Sequence, residues 1–400
     1  MRSQAAELLK MFGSGKLVFP DPERPNAVAL TRAISEICGG QKFQPDTVKS
    51  GFKSALGNPR HLVHVVADGF GMNFVEELSS DSFCKRHLNS EAVAAFPSST
   101  GPNLVSHSRA EWPGVHGVLG WYVYLPELRA RTTPFPWIRT RDEVDLSDVG
   151  ISGELMYHGN PLNQSFDRSV VNFISSEFSD SIATNSLHGQ ETVVGFTKID
   201  DVLAKVVRRI KSAESSTYTY SHWPMIDKYA HEVGTNGEQT LKAVFEFDRK
   251  MRRLRSQLPD DVTLVITADH GHLNYPEGHR IQVKPSDPIR ELLVDAPSGD
   301  ERAAIFHVID GNEEAFEKLF DERFGDRFLL LPGAEVIDLQ LLGPVDLSPI
   351  ATNRLGNYMA ISKGSWGFSF QDRPSRAGFE LQSQHGGLTP DEMLVPVIIA

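Results

Sequence analysis

Residues 61–67, HLVHVVA, form a run of apolar and β-branched side chains that ends at Asp68-Gly69. Such an almost uninterrupted run is typical of a strand that is buried on both faces of a parallel sheet. The run 262–268, VTLVITA, has the same character and ends at Asp269. These two runs predict buried strands with a polar residue at the carboxyl end of each, which is the edge where open α/β sheets bind ligands.

The segments around these runs alternate between strand and helix patterns. A further helix is predicted to begin at Thr235-Asn236-Gly237-Glu238, which resembles a capping box. This alternation indicates an α/β sandwich with a mainly parallel central sheet flanked by helices. The other predicted strands are 92–96, 216–222 and 394–399, and the other predicted helices are 4–12, 27–37, 73–87 and 198–211.

The chain is predicted to consist of a core with two additions. Residues 1–60 are expected to form an N-terminal helical extension that packs on the core, which comprises 61–282 and 371–400. Residues 283–370 are expected to form an inserted α+β subdomain. Its strand–helix–strand pattern occupies 303–309, 313–320 and 328–331.

Residues 110–165 are rich in Pro, Gly and aromatic side chains, and we expect an ordered loop region there.

Composition limits the classes of partner. The net charge of −12 argues against broad nucleic-acid binding, which needs a positive surface. A small phosphorylated substrate remains compatible, because bound metal ions would reverse the local potential. The two cysteines, Cys38 and Cys84, fit a reduced compartment and are interpreted as buried small side chains. No signal-like or membrane-spanning apolar run is present, so we expect a cytoplasmic protein whose oligomeric state is left open.

Polar residues follow the predicted strands at the points where the strands end. If the strands are parallel, these side chains converge on one edge of the sheet. The residues are Asp68, Thr100, Asp227 and the pair Asp269-His270.

Most of these side chains are of kinds that bind metal ions. Asp227 and His231 are four residues apart and would share one face of a helix. His385, in the sequence Gln384-His385-Gly386-Gly387, offers a further imidazole. Together with the residues above they make three carboxylates and three imidazoles, enough for two divalent sites of the kind that zinc or manganese occupies. Any one of these motifs alone is weak, so the prediction depends on their joint order.

Five motifs carry this order: VVADG at 65–69, FPSSTGPN at 96–103, PMIDKYAH at 224–231, TADHG at 267–271, and HGGL at 385–388 followed by EMLVP at 392–396. Over about residues 60 to 400, the chain resembles the alkaline phosphatase superfamily, and specifically its type I phosphodiesterase/nucleotide pyrophosphatase branch. The closing motif is also similar to the PglZ proteins of phage-defence systems. The resemblance implies an alkaline-phosphatase-like fold and a hydrolase with two divalent metal ions, zinc foremost and manganese as an alternative.

The resemblance also implies roles for individual residues. Thr100 would be the nucleophile and would bridge towards the second metal, while Asn103 would position a phosphoryl oxygen. One metal would be held by Asp227, His231 and His385, and the other by Asp68, Asp269 and His270.

A nucleophilic threonine is chemically reasonable at this position. A threonine hydroxyl is a poor nucleophile until a metal lowers its pKa, and a helix N-terminus favours both an alkoxide and a phosphate. A covalent phospho-threonine would form and then be hydrolysed. Ser98 and Ser99 are alternatives in principle, but their register against Pro102-Asn103 favours Thr100.

Two departures from the branch leave the choice of substrate open. Leu104 stands where the branch often has histidine, and Gly101 stands where it often has an aromatic residue. Trp121 and Tyr122 are candidates for stacking on a nucleobase, with packing within their loop as the competing interpretation.

The leading functional hypothesis is hydrolysis of a phosphodiester or pyrophosphate bond in a small substrate, for example a nucleotide-like one. A phosphomonoesterase and a phosphomutase are the alternatives that would use the same site. A PglZ-like partner module of a larger defence assembly is the alternative from another functional class.

Overall fold

The computed structural model describes residues 4–189, 191–370 and 381–400. Within this part of the chain the strands are β1 (His61–Ala67), β2 (Leu88–Val93), β3 (Val123–Leu125), β4 (Ala130–Thr133), β5 (Ile138–Arg139), β6 (Val144–Asp145), β7 (Ser169–Ser175), β8 (Thr192–Phe196), β9 (Thr217–Trp223), β10 (Val262–Thr267), β11 (Leu273–Asn274), β12 (Arg280–Val283), β13 (Ser298–Asp300), β14 (Ala303–Phe306), β15 (Phe328–Pro332), β16 (Tyr358–Ser362), β17 (Gly367–Phe370), β18 (Ser383–Gln384) and β19 (Leu394–Ile399).

The α-helices of the same residues are α1 (Gln4–Gly13), α2 (Ala27–Ile37), α3 (Thr47–Leu56), α4 (Met72–Glu77), α5 (Phe83–Arg86), α6 (Thr100–Arg109), α7 (Pro113–His116), α8 (Gly153–Met156), α9 (Ile182–His188), α10 (Ile199–Lys211), α11 (Met225–Val233), α12 (Glu238–Gln257), α13 (Glu313–Phe324), α14 (Gly333–Asp338), α15 (Pro349–Leu355) and α16 (Pro390–Met393). Short 3-10 helices occupy Ser147–Val149, Leu162–Ser165 and Pro288–Leu292.

A seven-stranded sheet forms the centre of the fold, in the order β2-β19-β10-β1-β9-β7-β8. β1 pairs in parallel with β10 and β9, and β7 pairs in parallel with β9 and β8. β19 runs antiparallel to both of its neighbours, so β2 has the same direction as the parallel strands. Every residue of β1 is buried, which shows that both sheet faces are covered. The predicted α/β fold with a mostly parallel central sheet and helices around it is confirmed.

Several local predictions were wrong at their boundaries. The second strand ends at Val93 rather than Phe96, and residues 94–99 run as irregular chain into α6. The helix predicted at 73–87 is two short helices, α4 and α5, separated by turns. The predicted capping box is absent, because α12 begins after Gly237 without a side-chain cap.

The region 110–165 also contains more regular structure than expected. β3, β4, β5 and β6 form a small antiparallel sheet there, where the sequence had indicated loops.

A second sheet lies within residues 283–370, in the order β13-β14-β16-β15, and its pairings are antiparallel. Its side chains alternate between two hydrophobic clusters, as the two-residue period of a strand requires. Phe306 and Phe328 pack with α13 on one face, while Ile305 and Leu329 pack with α1 on the other. The first helix therefore packs on this second sheet, whereas α2 and α3 pack on the central sheet. The predicted division into core, extension and subdomain stays a prediction.

Two further expectations concern the cysteines and membranes. Cys38 and Cys84 are both buried and unpaired with each other, as expected. Among the described residues, no helix combines the length and apolar character that crossing a bilayer requires.

Candidate active site and metal centre

The carboxyl ends of the parallel strands carry a compact cluster of carboxylates and imidazoles. Asp68 directly follows β1, and Asp269 and His270 come two and three residues after the end of β10. Asp227 and His231 share one face of α11, as their four-residue spacing predicted. His385 follows β18.

Asp227 is the centre of one group of ligands. Its Oδ1 atom lies 3.3 Å from Nε2 of His231, 2.7 Å from Nε2 of His272 and 3.7 Å from Nε2 of His385. Metal-ligating atoms of Asp227, His272, His385 and His270 all lie within 4.8 Å of one another. Such a carboxylate surrounded by imidazoles has the composition of a zinc or manganese site.

Asp68 is the centre of the second group, which also includes His222 and Asp269 within 4.8 Å. Oδ2 of Asp68 lies 3.2 Å from Nε2 of His222, and its Oδ1 lies 3.4 Å from Nε2 of His270. The ring of His270 stacks on that of His385 with centroids 3.7 Å apart. His270 therefore connects the two groups.

Buried polar atoms that lack hydrogen-bond partners indicate whether the cluster is suited to binding metal ions. Four of them lie here and find no hydrogen-bond partner among the described residues: Oδ1 of Asp68, Nε2 of His222, Oδ2 of Asp269 and Nδ1 of His385. Buried polar groups are normally satisfied, so such a concentration requires an explanation. Divalent cations would supply it, and the donor set fits them.

The pKa values of the cluster reflect the same crowding of charge. Burial, together with the nearby charges of Asp269 and Asp227, raises the pKa of Asp68 well above its usual range. Burial also acts on Asp227, but the adjacent His231 and His272 outweigh it and hold the pKa of Asp227 well below its usual range. Burial lowers the pKa of His385, so its imidazole is neutral and able to bind a metal.

The imidazoles are oriented by further hydrogen bonds. Nδ1 of His231 lies 2.9 Å from the carbonyl oxygen of Ser383. Nδ1 of His272 lies 3.0 Å from Oγ of the same serine, whose hydroxyl donates to the carbonyl of Ala230. Partners of this kind fix the ring orientation of metal-binding histidines.

Thr100 is the first residue of α6 and lies at the edge of the cluster. Its Oγ1 atom is 3.0 Å from Nε2 of His270. The preceding residue, Ser99, is fully buried and donates a hydrogen bond from Oγ to Oδ1 of Asp300, at 2.9 Å. Burial raises the pKa of Asp300 to about 7, although bonds from Ser99 and from the amide of Trp121 oppose this. The segment 283–370 thus contacts the residue next to Thr100.

The match to a family model shows to which family of hydrolases the chain belongs. The model described as Type I phosphodiesterase / nucleotide pyrophosphatase matches residues 62–323, which is more than half of the chain. The chain belongs to this family. The resemblance inferred from the five motifs is confirmed, and membership indicates a phosphoesterase.

Solved structures agree with this membership at the level of the fold. Human ectonucleotide pyrophosphatase/phosphodiesterase 5 is similar with a TM-score of 0.62 and 16% identity, over 84% of this chain and 87% of that chain. The murine protein has a TM-score of 0.61 at 15% identity with the same coverage, and an inactive variant of it was solved with AMP. Phosphonoacetate hydrolase from Sinorhizobium meliloti 1021, solved with phosphonoformate, has a TM-score of 0.61 and 18% identity, over 85% of this chain and 90% of that chain. No curated protein matches the sequence of the chain.

The side chain of Asn103 is hydrogen-bonded to the backbone of the preceding residues. Its side chain is fully buried and lies against the loop that precedes α6. Its oxygen accepts a bond from the amide of Ala95, and its nitrogen donates to the carbonyls of Ala95, Pro97 and Ser99. Asn103 thus holds the loop that leads to Thr100 in place, and its predicted contact with a phosphoryl oxygen stays a prediction.

The two aromatic candidates for substrate binding in this member of the phosphodiesterase family, Trp121 and Tyr122, lie in different cavities. Trp121 lines a large cavity beside Thr100 and stacks on Phe135, with centroids 5.5 Å apart. Tyr122 lines a different, small cavity and lies under the guanidinium of Arg131, at 4.3 Å from its ring centre. The structure thus brings Trp121 to the candidate site and does not bring Tyr122 there.

Gly101, one departure from the family pattern, has a packing explanation. A Cβ atom on Gly101 would lie 2.9 Å from the carbonyl oxygen of Gly120, and one on Gly120 would lie 2.4 Å from the carbonyl carbon of Gly299. The backbones of α6, the loop before β3 and the β13–β14 hairpin therefore meet at three glycines. An aromatic side chain at position 101 would not fit this contact.

His222 and His272 were not among the site residues predicted from the sequence. His222 lies near the end of β9, so the rule that polar residues at strand ends form the site would have identified it. Asp300 carried no comparable sequence signal, because its contact with Ser99 spans 201 residues.

Proposed function

We propose that this protein is a two-metal phosphoester hydrolase that uses Thr100 as its nucleophile. One observation carries the proposal: a cluster of three carboxylates and their imidazole neighbours, two of the carboxylates buried and the third partly exposed, lies beside the hydroxyl of a threonine at a helix N-terminus. Membership of the phosphodiesterase family supports the reaction class.

The proposed ligands follow the family resemblance. Asp227, His231 and His385 would hold one ion, and Asp68, Asp269 and His270 would hold the other, with Thr100 beside it. Zinc is the favoured ion and manganese the alternative, since the donors are imidazoles and carboxylates. Divalent ions bound there would neutralise charge on the phosphoryl group and lower the pKa of the threonine hydroxyl.

The protein's own groups then account for the remaining steps. The hydroxyl of Thr100 loses its proton to solvent as its oxygen attacks phosphorus. The bond from phosphorus to the leaving oxygen breaks, and a leaving alkoxide takes up a proton from solvent. The threonine is left as a phosphate ester, which water hydrolyses to restore the hydroxyl. The first-turn amides of α6 and the dipole of that helix favour the negative charge of the phosphoryl group at this position.

The proposed substrate is a small phosphodiester or pyrophosphate. A nucleotide is one candidate, because a similar murine protein was solved with AMP. Hydrolysis of a phosphomonoester or a phosphomutase reaction would use the same residues. A PglZ-like partner role would require no turnover.

The test compares hydrolysis of bis-p-nitrophenyl phosphate and p-nitrophenyl phosphate, with zinc and with manganese. We expect the diester to be preferred, and Thr100→Ala to lower kcat by at least about 10³-fold. Thr100→Ser is the matched control, since it keeps a hydroxyl at the same place and should retain measurable turnover.

Each other result changes the proposal in a defined way. Faster hydrolysis of the monoester would move the substrate class to phosphatases. Unchanged turnover in Thr100→Ala would remove Thr100 as nucleophile. No turnover with either metal would favour the partner-module alternative.

A further inference from the structure

A cavity of about 720 Å³ extends from Thr100 and Asp68 into the space between α6 and the central sheet. Side chains of β9 and β7 form its floor, among them Tyr220 and Ile174, and Leu104 on α6 lies opposite. In an ordinary α/β protein this space is close-packed core, with few voids larger than a water molecule. The volume falls in the range of roughly 300–1,000 Å³ that is typical of small-molecule sites.

The walls of the cavity are mainly apolar. They come from the central sheet, from helices on both sides of α6 and from the loop after β7, where the exposed ring of Phe178 marks the rim. The apolar side chains that line it among the described residues are Ile34, Leu104, Trp121, Phe135, Leu162, Phe166, Ile174, Phe178, Leu187, Pro224, Met225 and Leu381.

Among the described residues, the titratable side chains deep in the cavity are uncharged at neutral pH. Burial lowers the pKa of His107 to about 4 and that of His188 to about 3, so both imidazoles are neutral. Burial raises the pKa of Tyr220, whose phenol therefore stays protonated. Glu177 and Lys228, which also line the cavity, are exposed to solvent. Glu232, also in the lining, is partly exposed, so among the described lining residues formal charge is found at these three side chains and in the carboxylate–imidazole cluster.

Asn172 provides an independent sign that something binds here. Its side chain is fully buried on β7 and lines the cavity. Neither its amide nitrogen nor its amide oxygen has a hydrogen-bond partner among the described residues. A buried amide in this state is costly, which is typical of a ligand site with its ligand absent.

We propose that this cavity receives the organic group of the substrate, and that this group is an uncharged, mainly apolar alcohol in ester linkage to phosphate. The inference rests on the proposed function, since the cavity opens onto Thr100. The amide of Asn172 can satisfy one polar atom of such a group. A nucleotide would in addition place ribose hydroxyls and base edges against Ile174, Leu104 and Leu187, where they would lose their hydrogen bonds to water. An alkyl or aryl group with a single polar atom would not lose such bonds there.

The test measures binding of methylphosphonate, hexylphosphonate and AMP to the zinc-loaded protein by calorimetry. Each buried methylene is worth up to about fourfold in affinity, so we expect hexylphosphonate to bind about 100-fold tighter than methylphosphonate. Burial of the hexyl chain should also give a more negative heat-capacity change. AMP should bind more weakly than hexylphosphonate.

Two variants locate the effect in the cavity. Ile174→Trp fills the space from the floor and should reduce the hexyl-to-methyl ratio to below about tenfold. Leu187→Trp, from α9, tests the same point from another wall in case the first variant does not fold. Ile337→Trp is the matched control, because Ile337 is exposed on α14 and does not line the cavity. It should keep the full ratio.

The outcomes are separable when bis-p-nitrophenyl phosphate hydrolysis is measured on the same preparations. A hexyl preference that Ile174→Trp or Leu187→Trp reduces, and Ile337→Trp does not, supports the inference. Equal binding of the two phosphonates, or tighter binding of AMP, in a protein that hydrolyses the diester overturns the inference alone. No hydrolysis with zinc or manganese overturns the proposed function and the inference with it.

Discussion

The ion pair between Arg302 and Glu392 gives the sharpest stability prediction, because both side chains are fully buried. Nε and Nη2 of Arg302 donate to the two carboxylate oxygens at 2.5 and 2.9 Å. The same carboxylate accepts bonds from the amide of Gly387 and from the amide and hydroxyl of Thr389. The pair therefore fixes the β13–β14 hairpin to the loop that follows His385.

Glu392→Gln keeps the shape of the side chain and removes its charge. The guanidinium is then buried without a counter-charge, and breaking a buried pair in this way costs about 3–5 kcal/mol. That is a large part of the roughly 5–15 kcal/mol by which folded domains are stable. Urea unfolding followed by tryptophan fluorescence and circular dichroism should show the loss directly.

Two comparisons show whether the buried charge is the cause. Asp287→Asn breaks a second bidentate arginine pair, with Arg323, whose arginine side chain is 33% exposed. It should cost only about 1 kcal/mol or less. The double variant Arg302→Met/Glu392→Leu removes both charges and should be more stable than Glu392→Gln, but it should recover only part of the loss because the amides of Gly387 and Thr389 lose their acceptor. The reasoning is refuted if Glu392→Gln unfolds within about 1 kcal/mol of the wild type.

Four further perturbations have defined outcomes. The pKa of Asp300 is raised from 3.8 to about 7 by burial, so between these pH values the folded protein holds a proton that the unfolded chain has lost. The free energy of unfolding should therefore fall by up to about 4 kcal/mol as pH rises from 4 to 7, and should not change further above pH 7 because of this group. Asp300→Asn should remove this slope in urea titrations at pH 4.5, 6 and 8, and an unchanged slope would contradict the assignment. Asn103→Ala leaves buried backbone groups of residues 95–99 unpaired and should lower the free energy of unfolding by about 1–3 kcal/mol. It should also lower kcat, which a side chain with a purely surface role would not do. Gly120→Ala should cost about 1–3 kcal/mol in thermal unfolding, whereas Gly51→Ala, which has no neighbour within 4 Å, should be neutral or stabilising by up to about 1 kcal/mol. Zinc at about 1,000 times its Kd should stabilise the protein by about 4 kcal/mol, an effect that chelation reverses and that is lost if the cluster binds no ion.

The sequence was informative wherever a pattern is local. The uninterrupted apolar runs predicted β1 and β10 to within a residue, and the four-residue spacing of Asp227 and His231 predicted their shared helix face. The strand β2 was displaced because residues 94–96 are as apolar as a strand, yet their backbone leaves the sheet to enter α6. Burial alone does not distinguish these two conformations.

The remaining features depend on contacts between distant residues. The hydrogen bonds of Asn103 to residues 95–99 are not visible in a motif. The 720 Å³ cavity exists because side chains of α6 and of the sheet do not pack against each other there, and a sequence pattern does not predict such a gap. The Ser99–Asp300 bond joins segments about half the chain apart.

The position of β19 has a consequence for how the active centre is assembled during synthesis. β19 lies between β2 and β10, and β2 has no other neighbour in the described central sheet. Chains emerge from the ribosome in sequence order, and earlier segments generally begin to fold first. β2, which leads to Thr100, must therefore wait for a partner made some 300 residues later. The candidate site therefore cannot be completed before residues 394–399 are available. A ribosome-bound chain that has not yet exposed them should contain the candidate ligands that follow β1 and β10 but no completed site.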